Sequence, residues 1–250
     1  MDKICCLMTN YNNVKYIYKA IDSIRNQTIS VDLMVVDDGS TDNSVDMIQN
    51  YNKNISGHKD ISYYHNDIQL IVKTNGGPSS ARNAGLEKIV DNYEYILLLD
   101  SDDYIKPTFA EKCIDAIKQD DRIIGAYSDY NILVNEENIE PFEVREYKRS
   151  ITLNGMWQEC LMPHLAVIKS SAYKAVYNKF GYYYDESLRV CNDYDMDLKL
   201  CQFGIIWHIP EALSVVREGI NNSCSPIQGE IRQQCYQKVM ENNAEFYLSR

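Results

Sequence analysis

Apolar residues in the first half of the chain come in short unbroken runs, and each run is closed by polar residues. Ile4-Cys5-Cys6-Leu7-Met8 ends at Thr9-Asn10-Tyr11-Asn12, and Leu33-Met34-Val35-Val36 ends at Asp37-Asp38-Gly39-Ser40. Residues 69–73 lead to Asn75-Gly76-Gly77, and residues 95–99 lead to Asp100-Ser101-Asp102-Asp103. Runs without alternation are what strands look like when helices cover both faces of their sheet. Between the runs the period changes. Val14, Ile17, Ala20, Ile21 and Ile24 recur at helical spacing; further helices are predicted over about 43–51, from Pro78 through Leu86, and from near Pro107. Ile123-Ile124-Gly125-Ala126 reads as another strand. The rhythm is strand–helix–strand, which predicts an α/β fold with a Rossmann-like, mainly parallel central sheet flanked by helices.

The second half is less regular. Residues 129–150 read as an exposed hairpin or loop excursion. Helices are predicted over about 170–178 and 193–202, strands near 204–208 and 212–217, and a terminal helix from about 227. No internal repeat or low-complexity tract divides the chain. The economical reading is a single domain over 1–250, with nucleotide handling in 1–127 and the acceptor and catalytic half in 128–250.

Composition narrows the partners. A formal net charge of -11 argues against a nucleic-acid backbone, which requires a concentrated basic surface. No apolar run approaches the length of a membrane span, and the six-residue apolar patch at the N-terminus is too short for a secretory leader. Eight cysteines, at 5, 6, 113, 160, 191, 201, 224 and 235, show no CxxC and no ligand-like spacing with the four histidines. They read as free thiols in a reducing compartment, so a cytoplasmic location is expected, with peripheral membrane contact left open.

In open parallel sheets, ligands bind outside the carboxyl ends of the strands. All four polar clusters of the first half follow predicted strands, so they are expected to meet on one rim. Asp100-Ser101-Asp102 has the chemistry of a divalent-metal and diphosphate site, because Mg²⁺ and Mn²⁺ favour one or two carboxylates plus phosphate oxygens. Asp37-Asp38 can accept from a ribose hydroxyl or a uracil N3–H, or can cap the next helix. In Asn75–Asn83 the glycines allow close backbone approach, and Arg82 offers either bidentate contacts or a buried structural pair. This loop is not a GxGxxG fingerprint, so a dinucleotide dehydrogenase is unsupported. Asn192-Asp193-Tyr194-Asp195-Met196-Asp197 places three more carboxylates at a helix start, and the sequence does not select among them as a base. His164 divides evenly between core packing and pocket lining.

The segments TNYNN (9–13), VVDDGSTDNS (35–44), NGGPSSARNAG (75–85), LLLDSDD (97–103) and NDYDMDL (192–198) together resemble the family 2 inverting glycosyltransferases of the GT-A fold, over about residues 3–217. The resemblance implies that Thr9, Tyr11 and Asp38 contact the base of a nucleotide-sugar donor, with Asp37 in support. It places Gly77, Arg82, Asp100 and Ser101 beside that donor, makes Asp102 the metal ligand (with Asp100 a second candidate), and makes Asp193 the catalytic base. The implied cofactor is Mn²⁺ or Mg²⁺. The implied donor is UDP-linked, with thymidine as the open alternative, and the acceptor is a hydroxyl of a free, lipid-linked or protein-linked glycan. One departure stands out. Many relatives carry a histidine in an arginine-histidine-x-x-serine stretch after the last core strand, whereas this chain reads Arg217-Glu218-Gly219-Ile220-Asn221-Asn222-Ser223. Two other readings compete: a sugar-nucleotide nucleotidyltransferase, and an inactive sugar- or nucleotide-binding module. The first is disfavoured because Asn10-Tyr11-Asn12-Asn13 replaces the glycine-rich basic loop such an enzyme requires after its first strand.

Overall fold

A computed structural model describes residues 2–56, 68–133, 143–145, 165–188, 190–217 and 229–244. Four parallel strands make the first half of the sheet: β1 (Ile4–Asn10), β2 (Asp32–Asp37), β3 (Gln69–Val72) and β4 (Tyr95–Asp100). They lie in the order β3-β2-β1-β4, with Leu7 facing Met34 on one side and Leu98 on the other. Their apolar runs are unbroken because both faces are buried. Cys6, Met8, Leu33, Val35, Leu97 and Leu99 point into one core, and Cys5, Leu7, Met34, Val36 and Ile96 point into the other. Helices α1 (Ile17–Arg25) and α4 (Phe109–Ile117) close the first core, whereas α3 (Pro78–Ile89) closes the second. Helix α2 (Ser44–Ser56) follows the Asp37-Asp38 turn. The predicted stripe of α1 holds at Ile17, Ala20, Ile21 and Ile24. Val14 does not belong to it: it precedes the helix and is exposed.

Beyond β4 the pairing becomes mixed. The α/β architecture with helices on both faces is as expected, and the parallel pairing is concentrated in the first half. Strand β8 (Ala166–Lys169) inserts antiparallel between β4 and β6 (Ile123–Leu133). Strand β9 (Ile205–Arg217) runs parallel to β6, and the two-residue β5 (Tyr104–Ile105) pairs antiparallel with its end. The sequence reading contained neither β8 nor β5, since each is a short apolar stretch lying directly against a helix or a turn.

Strand β6 corrects the reading of 129–150. Instead of ending at Ala126 it continues to Leu133, every residue of it buried. Its polar residues made it look like a loop, yet they have partners: Ser128 Oγ donates to the Asp129 carbonyl at 2.8 Å, and Asp129 Oδ1 meets His208 Nε2 at 2.8 Å. The hairpin survives in part, as β7 (Glu143–Arg145) lies antiparallel on β6. The two strands read at 204–208 and 212–217 are one strand, interrupted where the register jumps from Ser128 opposite Ile209 to Asp129 opposite Ala212. Pro210, which has no N–H for the ladder, sits in the resulting bulge.

Helices α5 (Ser170–Phe180), α6 (Asn192–Leu200) and α7 (Gly229–Asn242) complete the described chain. The division at 127/128 falls inside β6, so the sheet is continuous across it. His164 and Glu218 lie outside the described residues. Among the described residues no helix is long and apolar enough to cross a membrane, and Cys5, Cys6, Cys113 and Cys201 carry free thiols.

Gly85 is where α3 comes closest to the sheet, and a Cβ there would collide with three side-chain carbons of the buried Leu7. Gly85→Ala is expected to lose about 1–2 kcal/mol, because overpacking outweighs the gain of up to ~1 kcal/mol in helix propensity. A lowered urea midpoint at unchanged slope would register this, and a raised midpoint would contradict it.

Candidate functional site

Because β1 to β4 are parallel, their carboxyl ends lie along one rim, and hydrogen bonds tie the four polar clusters together there. Thr9 Oγ1 donates to Asp100 Oδ1 at 3.0 Å, linking the end of β1 to the end of β4. The next residue, buried Asn10, donates through Nδ2 to Asp37 Oδ2 at 2.7 Å, linking β1 to β2. Asn13 Nδ2 reaches Ser101 Oγ at 2.9 Å. Tyr11 sits between these contacts with its side chain exposed.

Asp37 and Asp38 are neighbours with different environments. Asp37 is fully buried; beyond Asn10, it accepts from the Ser40 N–H at 2.9 Å and the Ser40 hydroxyl at 2.6 Å. It therefore holds the turn after β2. Asp38, 3% exposed, turns towards the loop after β3. Its Oδ1 accepts from Lys73 Nζ at 2.6 Å and from the Gly76 N–H at 3.0 Å, and its Oδ2 accepts from the Gly77 N–H at 2.7 Å. Both oxygens thus already serve the chain's own donors. Gly77 has φ 87, a left-handed value, and directly precedes Pro78 at the start of α3. Gly39 also has positive φ, at 77, and a Cβ there would lie 2.8 Å from the Asn75 nitrogen. Two left-handed glycines and one carboxylate set the shape of this corner.

Arg82 is the centre of the site. Its side chain is 7% exposed, and its guanidinium spans two carboxylates that lie far apart in sequence. One nitrogen is 2.5 Å from Asp193 Oδ1, and another is 3.2 and 3.3 Å from the two oxygens of Asp100. The ring of Tyr184 lies under it, 5.4 Å from the guanidinium carbon. Burial alone would lower the pKa of this group, but Asp193 and Asp100 outweigh it and leave the guanidinium held above its ordinary value. It is a fixed positive charge between two acids. The next residue, Asn83, grips the turn that carries Tyr184: its Oδ1 accepts from the Tyr184 N–H at 2.9 Å, and its Nδ2 donates to the Tyr184 carbonyl at 3.0 Å.

Helix α6 sorts the three acids that the sequence left open. Cys191 precedes it with φ 61, a left-handed conformation uncommon outside glycine, and the helix then presents Asp193 to Arg82. Asn192 helps fix the entry by donating to Ser79 Oγ at 3.2 Å. Asp195 faces away from the cleft, fully buried 2.6 Å from Lys199, which is also fully buried. Asp197 lies one turn beyond Asp193, with its Oδ2 enclosed and without a hydrogen-bond partner. Its pKa is pushed well up by burial first and by the Asp193 charge second, against the opposing pull of Arg82. Of the three, only Asp193 combines exposure to the cleft with the Arg82 contact.

At the other end of the rim, Asp100 has 36% of its side chain exposed. Ser101 is buried, and its N–H donates to the Thr9 carbonyl at 3.2 Å. Asp102 is half-buried, and its carbonyl lies 3.4 Å from Arg217 Nε. Asp103 turns inward and accepts the Arg217 N–H at 2.8 Å; burial, then its neighbours Asp102 and Asp100, raise its pKa well above the carboxylate norm. Asp103 is thus a loop anchor. Asp100 and Asp102 supply two hard oxygen donors, and among the described residues no third His, Cys, Asp or Glu joins them in a cluster. That donor set fits Mg²⁺ or Mn²⁺, which complete their shells with phosphate oxygens and water. It would not suit a metal that needs an all-protein cage.

Sequence reasoning missed Lys73, Asn83 and Tyr184, and it gave Asn10 no role. Lys73 carried a usable signal, being a lone cation at the end of a strand whose neighbour ends in two carboxylates. The other three act through contacts that exist only after folding.

A family model described as "Glycosyl transferase family 2" matches residues 5–176. The chondroitin synthase of Escherichia coli is 27% identical over 237 residues, which is 93% of this chain and 31% of that protein. The hyaluronan synthase of Pasteurella multocida is 28% identical over 207 residues, covering 80% of this chain and 19% of that protein. The chain therefore spans a third or less of these curated relatives. Among solved structures, S. aureus TarS 1-349 in complex with UDP superposes with a TM-score of 0.66 at 20% identity, covering 95% of this chain and 63% of that one. A mannosyltransferase from Pyrobaculum calidifontis in complex with GDP-Man and Mn2+ gives a TM-score of 0.60 at 15% identity, covering 97% and 64%. Both likenesses establish the fold, which is GT-A.

Asp197 also yields a prediction about pH. Its folded pKa lies above its unfolded one, so the folded state binds the extra proton, and stability falls as pH rises above about 4 towards the raised value. Asp197→Asn removes that loss. The variant is expected to be more stable than the parent at neutral pH, with the gap closing as pH approaches about 4. Thermal melts across that range would show it, and a constant difference would refute it.

Proposed function

Because the chain belongs to glycosyl transferase family 2, we propose that it transfers a sugar, with inversion, from a nucleotide-sugar donor to an acceptor hydroxyl. The observation that carries the proposal is the Arg82 bridge, which brings an acid from the β4 end and an acid from the α6 start to either side of one buried cation. The two acids are thereby available for two different jobs. Asp193, at 30% side-chain exposure, takes the proton of the acceptor hydroxyl as its oxygen attacks the anomeric carbon. The bond from that carbon to the diphosphate breaks as the new one forms, so the configuration inverts in a single displacement.

The departing diphosphate gathers negative charge at the other acid. Asp102, with Asp100 as a second ligand, would hold Mg²⁺ or Mn²⁺ there, and the ion would supply Lewis-acid neutralisation of that charge. Thr9 and Arg82 orient Asp100 through the bonds described above. Asn13 does the same for Ser101. The nucleoside falls to the corner between β1, β2 and β3. The exposed Tyr11 ring can lie against the base, buried Asp37 keeps the turn in place, and Asp38 holds Gly77 and the loop that walls the pocket. The donor is read as UDP-linked, with dTDP as the variant; the S. aureus TarS structures that share the fold are complexes with UDP and with UDP-GlcNAc. The acceptor belongs to a free, lipid-linked or protein-linked glycan, approached from the 128–250 side.

Incubation with UDP-sugars and Mn²⁺ is expected to release UDP. Pyrophosphate formed from a nucleoside triphosphate and a sugar phosphate would instead make the chain a nucleotidyltransferase. Asp193→Asn is expected to bind UDP as the parent does while turnover drops by a factor of about 100 or more. Turnover near the parent's would remove Asp193 from the base role. Asp102→Ala is expected to abolish the Mn²⁺-dependent part of UDP binding in calorimetric titration, and unchanged binding would exclude it as a ligand.

A further inference from the structure

The acids of α6 are oriented from behind by the last described helix. Asp195 and Lys199 form a fully buried pair, but both belong to α6, so their attraction cannot fix that helix against the rest of the molecule. The remaining oxygen of Asp195 accepts from Asn243 Nδ2 at 3.1 Å, across to the end of α7. Asn243 is 1% exposed, and the same nitrogen lies 2.8 Å from the Val239 carbonyl, so one amide group both closes α7 and grips α6. One turn back, Val239 is fully buried in the core that includes Tyr194, Met196 and Leu198 of α6.

The same helix grips the turn leading into α6. Asn242 Nδ2 donates to Asp185 Oδ2 at 3.2 Å, and Lys238 donates to the Ser187 hydroxyl, with Asp185 4.0 Å away. On its other side, this turn is held by Asn83, the residue after Arg82, through Tyr184 and through Glu186 at 2.9 Å. Arg82 and Asp193 are thus carried by elements that the end of α7 ties together. A carboxylate displaced by about 1 Å from its productive place loses rate by a factor of up to about 100.

We propose that Asn243 is a positioning residue: by holding Asp195 it aims Asp193, and α7 is thereby part of the catalytic apparatus. The proposal rests on the reading of Asp193 as the base. Its physical core, the control of the α6 start by Asn243, is measurable without any activity.

The experiment compares the parent with Asn243→Leu, which removes the donor and keeps the bulk, and with Val239→Ala, which loosens the packing of α7 and spares the bond to Asp195. Hydrogen exchange at the amides of 193–197 is expected to quicken by about 10-fold in Asn243→Leu and to stay near the parent rate in Val239→Ala at matched loss of melting temperature. With the UDP-sugar turned over fastest by the parent, kcat of Asn243→Leu is expected to fall by about 10-fold while the donor KM stays within about 2-fold. Parent-like exchange and kcat in Asn243→Leu, or equal defects in Val239→Ala, would reduce Asn243 to a packing residue and overturn the proposal. If Asn243→Leu does not fold, Asn243→Ser, too short to reach Asp195, is judged by the same criteria. A parent that turns over no nucleotide-sugar would defeat the proposed function, and the exchange rates would still decide the role of Asn243.

Discussion

A guanidinium removed from water cannot shed its charge, so a fold that buries one has to place acids around it. In this protein that constraint falls on Arg82. The acids come from the end of β4 and the start of α6, which are 93 residues apart in the chain (193 − 100). Satisfying Arg82 therefore fixes the distance between the two ends of the cleft. Arg82 also offsets the mutual repulsion of the two carboxylates it holds, Asp100 and Asp193. The same cation explains why Asp193 and Asp197, a single turn apart, differ in surroundings: one reaches the guanidinium, and the other is enclosed behind it with an unpartnered oxygen.

Around that centre the parallel strands act as a frame. Each strand ends with a side chain that bonds to its neighbour's end: Thr9 to Asp100, Asn10 to Asp37, and the Asp38 carboxylate to the backbone after β3. These bonds join wholly or partly buried groups that would otherwise lose water without gaining partners, so they keep the rim in a single arrangement. Catalysis by displacement depends on such order, since the base, the reacting carbon and the leaving group must stay in line. The second half contributes differently. Its strands are mixed in direction, and its helices α5, α6 and α7 pack on the same core as α3, which brings Asp193 to a rim built by other elements.

The parts of the fold that were legible are those where chemistry repeats locally. The unbroken runs at Cys5–Met8, Leu33–Val36 and Ile96–Leu99 required burial on both faces, and the polar residues after them marked the rim. Strand β6 is the least legible, because Ser128 and Asp129 look like loop residues until the neighbouring backbone and His208 are seen to pair with them. Val14 was assigned to a helix it precedes because helical spacing extends beyond the turn that begins the helix. The Asp38 environment was hidden for a similar reason, as Lys73, Gly76 and Gly77 reach it only across the sheet.

By itself, then, the sequence determined the strand–helix alternation, the rim on which polar clusters converge, and the set of acids from which a site is built. These follow from hydrophobic period and residue chemistry, which act over a few residues. Tertiary structure alone decided that Asp193, rather than Asp195 or Asp197, faces Arg82, that Asp103 is an anchor, and that Asn243 holds the far side of α6. Those choices depend on which groups lose water together and which find a partner when they do. Burial and pairing between distant segments are properties of the packed chain, and no local pattern encodes them.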